Sequence, residues 1–431
     1  MRLIDCRGLT DPDYSSILPR GEFDINSALE LVAPICEAVR LDGQAALRHY
    51  SQVFDKCVPD QFRVDPGIAA HFADQMDPDL KTAVLTSIAR RRAVSTREVT
   101  ADTEVELGVG AQVSIRSIPV GRVGLYVPGG VAPLASSVIM SVVPAQIAGV
   151  NSIALASPPQ SDFDGLPHPT ILAISHLLGV DEIYAVGGAQ AIAMFAYGVA
   201  GVCPGVDLIT GPGNIYVVAA KRLVKGIVGI DSEAGPTEIA VLADSQANPA
   251  FIAADLISQA EHDLQAGSVL VTNSMELVGQ VQAQLVQMVK DTGHSNRVTI
   301  ALAGPQSGIM LVRDLEQGID LVNAYGAEHL EIMTADPKSV AARIMNAGAI
   351  FVGDYSPVSL GDYSAGSTHV LPTLGTARHS SGLTVRSFMK TVHVIEYSQS
   401  GLAEIADGIE VFAQAENLPA HAHAVAVRSQ S

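Results

Sequence analysis

From Val123 onward the chain alternates short apolar runs with segments of helical period, a recurrence that predicts an α/β protein built on a mostly parallel, doubly wound sheet. Two further observations agree. Charged residues make up 16% of the chain against 48% hydrophobic, the balance of a well-buried fold and not of a disordered one. At 431 residues the chain exceeds one average domain, so two or more units with a sizeable shared core are expected.

Residues 1–100 read mostly as helices, with apolar positions at helical spacing over 28–39, 43–54 and 80–97. Arg90, Arg91, Arg92 and Arg97 crowd the last of these, which reads as a solvated helix face, an anion site being the alternative. Strands are then expected at 123–127, 152–156, 182–186 and 207–209, alternating with helices at 136–148, 169–178, 189–197 and 215–224. A second set starts near Thr237, with strands at 238–243 and 268–272 and helices at 249–262 and 275–289. Asn248-Pro249 opens the first of those helices, a capping side chain followed by a preset first-turn φ. After Pro372 the alternation fades, apart from a strand-like run at 392–397, and the chain ends in a tail containing Ala, His and Glu that is either frayed or docked on a partner.

Several function classes are disfavoured. With 26 Lys and Arg against 45 Asp and Glu, the net charge of −19 repels nucleic acid and anionic lipid surfaces. Uncharged stretches at 123–161 and 185–206 are broken by Pro133, Pro144, Gly188 and Gly198, among others, which argues for buried strand-turn-helix units and against a membrane helix. Cys6, Cys36, Cys57 and Cys203 lie far apart with no CxxC spacing, so neither a disulfide framework nor a cysteine zinc site is indicated. Arg2 and Asp5 stand where a signal peptide needs an apolar run, and a cytoplasmic location is expected.

Acid, base and metal-ligand side chains gather at a few places. Gln259 and His262 are three apart on an expected helix, so they share a face and could grip one ion; a helix-end Gln and His without function fit the same spacing. Asp362 in a Gly-Asp-Tyr turn precedes His369 in a glycine-flanked loop. A carboxylate, imidazoles and an amide carbonyl suit Zn²⁺, and ligand type admits Mn²⁺ too. Glu328 and His329 precede a strand-like 330–332, and a turn at Gly326 would let them converge as two proton-transfer groups; a surface strand start is the alternative. Gly211-Pro212-Gly213-Asn214 follows a strand and opens a helix, where backbone N–H groups can meet a phosphate, although neither it nor Gly187-Gly188 has the third glycine of a dinucleotide fingerprint.

Assembled, these motifs closely resemble the histidinol dehydrogenase family. The matching stretches are GLYVPGG (124–130), VGGAQA (186–191), TGPGN (210–214), EAGPTE (233–238), SQAEHD (258–263), NAYGAEHLE (323–331), SPVSLGDYSAGSTHVLPT (356–373), RHSSGLTV (378–385) and AENLPAH (415–421). The resemblance implies two incomplete Rossmann-like doubly wound domains, a helical N-terminal region (1–100) and a C-terminal arm (381–431) exchanged in a homodimer. It assigns 101–121 and 232–380 to the domain carrying the zinc and acid/base residues, and 122–231 to the domain contributing the NAD site. Zinc is placed on Gln259, His262, Asp362 and His421, the last from the tail of the second subunit, and acid/base work on Glu328 and His329. Substrate contacts fall on Thr237, His369 and Glu416 together with His329 and the zinc ligands, and NAD contacts on Tyr126, Gln190 and Asn214. Glu261 becomes a structural neighbour of His262. Thr237 stands where many members have Ser, and Thr368 where many have Asn; His423 offers an alternative ligand to His421 that the motif disfavours. The implied reaction oxidises L-histidinol to L-histidine through histidinal with two NAD⁺, His329 acting in both steps and Glu328 chiefly in the second. A dehydrogenase of another small alcohol and a non-catalytic zinc-binding regulator are the competing readings.

Overall fold

In the computed structural model, which describes residues 1–9, 14, 16–21, 24–129, 133–233 and 235–429, the alternation resolves into two parallel sheets and one antiparallel sheet. Gly130 and Ala234, from two of the motifs above, and the last two residues of the arm lie outside the described residues. The strands are β1 (Arg2–Asp5), β2 (Thr103–Gly108), β3 (Ala111–Pro119), β4 (Arg122–Tyr126), β5 (Ser152–Ser157), β6 (Ile183–Ala185), β7 (Leu208–Thr210), β8 (Gly229–Ile230), β9 (Glu238–Ala243), β10 (Gly267–Thr272), β11 (Gly308–Leu311), β12 (His329–Met333), β13 (Ala349–Val352) and β14 (Met389–Tyr397).

One parallel sheet has the order β6-β5-β4-β7-β8 and the other β1-β11-β10-β9-β12-β13. Numbered within each unit, both read 3-2-1-4-5, the doubly wound order, with β1 added at the edge of the second. Strand order therefore reverses between β4 and β7 in one sheet and between β9 and β12 in the other. Both faces of each sheet are covered, which is why the strands read as unbroken apolar runs. In β9, Ile239, Val241 and Ala243 enter one core, whereas Ala240 and Leu242 enter the other.

Three segments depart from the sequence reading. Residues 2–5, inside the region expected to be helical, add β1 parallel to β11. Residues 103–119, expected to belong with 232–380, form a hairpin whose second strand pairs antiparallel with β14, apart from both parallel sheets. Every residue of β2 is exposed, so its alternating Glu and Val gave no buried face by which to place it. The tail is regular: Ser398 caps a helix over Gln399–Ala415, Asn417 turns the chain in the left-handed region at φ 57°, and a second helix spans Pro419–Ser429. These helices pack chiefly on each other and on β14. Among the described residues no helix is long and apolar enough to cross a membrane.

Candidate active site

The Glu328-His329 pair is assembled by a helix end. The helix Leu315–Tyr325 stops at Gly326, whose φ of 58° is the left-handed conformation that ends helices, and β12 begins three residues later. The two side chains converge, with His329 Nδ1 3.5 Å from Glu328 Oε2, and both are buried. Glu328 Oε2 accepts from the Thr237 hydroxyl at 2.5 Å and from the Glu238 backbone N–H at 2.9 Å. Burial nevertheless pushes its carboxyl well above the ordinary range, against the pull of those two donors. Burial pushes His329 down to about 4, so its imidazole is neutral near pH 7. Its Nδ1 lies 3.3 Å from the Glu238 carbonyl; the tautomer that donates there leaves Nε2 as a proton acceptor.

Gln259 lies in the last turn of the helix Pro249–Ala260, which Asn248 caps by accepting from the Ala250 N–H at 2.9 Å. The helix ends two residues earlier than expected, so His262 lies beyond it and the shared-face argument does not hold; the His262 N–H instead bonds the Gln259 carbonyl at 3.2 Å. The Gln259 amide nitrogen donates to Thr237 Oγ1 at 2.6 Å, while its Oε1, fully buried, has no partner. An orphaned buried acceptor costs about 1–3 kcal/mol, and this oxygen is free to take a ligand.

Asp362 sits in a short helix, Val358–Tyr363, where a tight turn was expected. Its Oδ2 is 3.9 Å from His262 Nε2 and its Oδ1 3.9 Å from His369 Nδ1. His369 is held at both ring nitrogens, Nδ1 3.1 Å from the Asp362 carbonyl and Nε2 3.0 Å from Ser137 Oγ. Burial lowers its proton affinity as well. His262 and Asp362 thus lie side by side, and an amide oxygen, an imidazole and a carboxylate are a donor set that fits Zn²⁺. Among the described residues no three His, Cys, Asp or Glu side chains gather as a metal site, so His421 of the same chain does not join His262 and Asp362. Glu416 and His421 are both exposed on the arm.

The arginine cluster is solvated only in part: Arg90 and Arg97 are exposed, whereas Arg91 is not. Arg91 is fully buried and donates to Glu98 and to the carbonyls of Gly366 and Leu383, while Arg90 donates to the Ser364 carbonyl and Arg92 to Gln146. Backbone carbonyls on both sides of His369 absorb these charges, a use that residue spacing does not reveal. Sequence reasoning also missed Ser137, the contact from the first parallel unit to His369; a serine opening an apolar helix carries no distinguishing signal.

The remaining candidates lie at the carboxyl ends of β4, β6 and β7, around the reversal of strand order where doubly wound sheets bind ligands. Tyr126 closes β4, and its hydroxyl accepts from the Gly188 N–H at 3.1 Å. Gly188, at φ +60°, opens the helix Gly188–Tyr197, and in that first turn Gln190 is 1% exposed with neither amide atom partnered. A Cβ at Gly211 would overlap the Tyr126 carbonyl, so the turn after β7 needs glycine. Asn214 caps the helix Ile215–Val224, accepting from the N–H groups of Tyr216 and Val217. Thr237, Glu328 and His329, by contrast, lie at the amino ends of β9 and β12.

Comparison with known proteins is consistent along the whole chain. A family model described as histidinol dehydrogenase matches residues 18–429. The histidinol dehydrogenase of Cutibacterium acnes is 61% identical over 99% of this chain and 99% of its own length, and that of Thermobifida fusca 58% identical over 99% and 97%. The crystal structure of histidinol dehydrogenase from Elizabethkingia anophelis superposes with a TM-score of 0.94 at 32% identity, covering 100% of this chain and 98% of that one.

Proposed function

Because the chain belongs to the histidinol dehydrogenase family and is an NAD-dependent oxidoreductase of histidine biosynthesis, we propose that the site at the amino ends of β9 and β12 carries out both oxidations that convert L-histidinol to L-histidine. The observation that carries this reading is the contact chain Gln259–Thr237–Glu328–His329, which ends in an unpartnered amide oxygen on one side and a neutral imidazole on the other.

Gln259, His262 and Asp362 would hold one Zn²⁺ per subunit, with His421 of a second copy as the fourth ligand. The metal's charge would draw in and orient the nitrogens of the substrate. Tyr126, Gln190 and Asn214 would line the NAD site, whose nicotinamide supplies the hydride acceptor. The two unmet polar atoms of Gln190 support that placement.

In the first oxidation His329 takes the alcohol proton on Nε2 as the hydride leaves the carbon. In the second, Glu328 removes a proton from the water that adds to the aldehyde, and His329 relays a proton as the second hydride leaves. A carboxyl pushed upward by burial is a stronger base near neutral pH than an ordinary glutamate, which suits Glu328 to that role. Thr237, His369 and Glu416 complete the substrate contacts.

The site would be finished by a homodimer with exchanged arms. Supporting this, Val411, Phe412 and Leu418 on the arm and Val105, Leu107 and Ile395 on the antiparallel sheet are exposed in the single chain. Metal analysis combined with an NADH count on the purified protein tests the whole reading: one zinc per subunit and two NADH per histidinol are expected, and zinc-free protein that is fully active contradicts it.

A further inference from the structure

Directly behind the active-site groups lie two carboxyls that the mechanism does not use. Asp255 and Glu331 are 6% and 1% exposed, and their side chains face each other. Asp255 stands one helical turn before Gln259 on the helix Pro249–Ala260, so both project from one face. Glu331 stands two residues after His329 on β12, so both point to the same side of the sheet. Both carboxyls also lie near the backbone of Val358, the first residue of the helix that carries Asp362 one turn later, and that helix packs on Pro249–Ala260. One pair therefore touches all three elements that present Gln259, His329 and Asp362.

As two anions the pair does not make sense. Neither ionised carboxylate can donate, and both Glu331 oxygens are left without a hydrogen-bond partner. Like charges this close and this buried cannot both persist; one proton between them removes a charge and supplies the missing donor. Burial acts in the same direction, raising both groups.

We propose that Asp255 and Glu331 form a carboxylic acid–carboxylate hydrogen bond that holds the Gln259 helix, the His329 strand and the Asp362 helix in the geometry of the active site. They are positioning residues, acting through the groups they support. The inference rests on the zinc assignment made above.

Zinc release from the holoenzyme dimer to a chromophoric chelator tests it, because it reads metal affinity without reference to turnover. Glu331→Ala is expected to weaken zinc binding by about tenfold or more, the range seen when groups supporting metal ligands are removed, whereas Glu331→Gln and Asp255→Asn, whose amides donate without needing the shared proton, stay within about threefold. Wild-type affinity in a folded Glu331→Ala, or a loss in Glu331→Gln as large as in Glu331→Ala, overturns the proposal. Should Glu331→Ala not fold, the two amide variants decide alone, a loss of about tenfold in either being contradictory. Gln259→Ala in the same titration reports on the metal assignment itself: zinc retained there at wild-type affinity overturns that assignment and this inference with it, whereas zinc lost there with Glu331→Ala unaffected overturns only the inference.

Discussion

The Gln259 amide nitrogen donates to the Thr237 hydroxyl across 2.6 Å, and this bond fixes which end of the amide is left over. Because the same hydroxyl donates to Glu328 at 2.5 Å, one threonine orients both the proposed metal ligand and the proposed base.

Thr237→Val keeps the shape and removes that hydroxyl. Zinc affinity and turnover are expected to fall by about 10–100-fold together, while Thr237→Ser keeps both within about threefold. Chelator titration and steady-state rates on the two variants check this; a Thr237→Val enzyme with normal zinc affinity would separate Gln259 from the metal.

Acid should destabilise the fold through His329. Its imidazole is held down to about 4 in the folded chain against 6.5 when unfolded, so between those values the unfolded chain binds a proton that the folded chain refuses. The stability is fully present above pH 6.5 and is lost as the pH falls, at about 1.4 kcal/mol per unit. Urea melts at pH 7.5 and 5.5 should show wild type losing roughly 1.4 kcal/mol more than His329→Asn. Equal losses would show that His329 is not buried neutral.

Arm exchange predicts complementation between two dead enzymes. His262→Ala would remove a proposed ligand from the body and His421→Ala one from the arm, so each homodimer should be inactive. Mixed dimers contain one site with an intact body and an intact arm. Co-expression or subunit exchange should restore part of the activity and bind zinc; no recovery in confirmed heterodimers would mean that each arm serves its own body.

At the proposed NAD site, Gln190→Ala should raise KM for NAD⁺ by about tenfold, the worth of a buried hydrogen bond of about 1.4 kcal/mol, and leave histidinol binding unchanged. An effect on histidinol alone would move Gln190 out of the cofactor site.

What could be read in the sequence follows burial. Strands covered on both faces, such as β9, announced themselves as apolar runs, and Asn248-Pro249 marked a helix start through capping chemistry that is local. The exposed strand β2 carries no such signal, and although Ser398 caps the first arm helix, what the arm packs against is not written within it. At the proposed site, Gln259, Glu328 and Asp362 were singled out by type and motif, but their relations depend on elements far apart in the chain. Arg91 shows the limit: a cluster of basic residues looked solvated, yet its central member reaches carbonyls 275 and 292 residues away.

The division of labour between Glu328 and His329 is the centre of the account, and the NADH yield of Glu328→Gln tests it most directly. With limiting histidinol, wild type should release two NADH per substrate, and the variant one, with histidinal left bound or released and the first oxidation within about tenfold of normal. Two NADH per histidinol from Glu328→Gln at an undiminished rate, or an equal loss in both half-reactions, would contradict it.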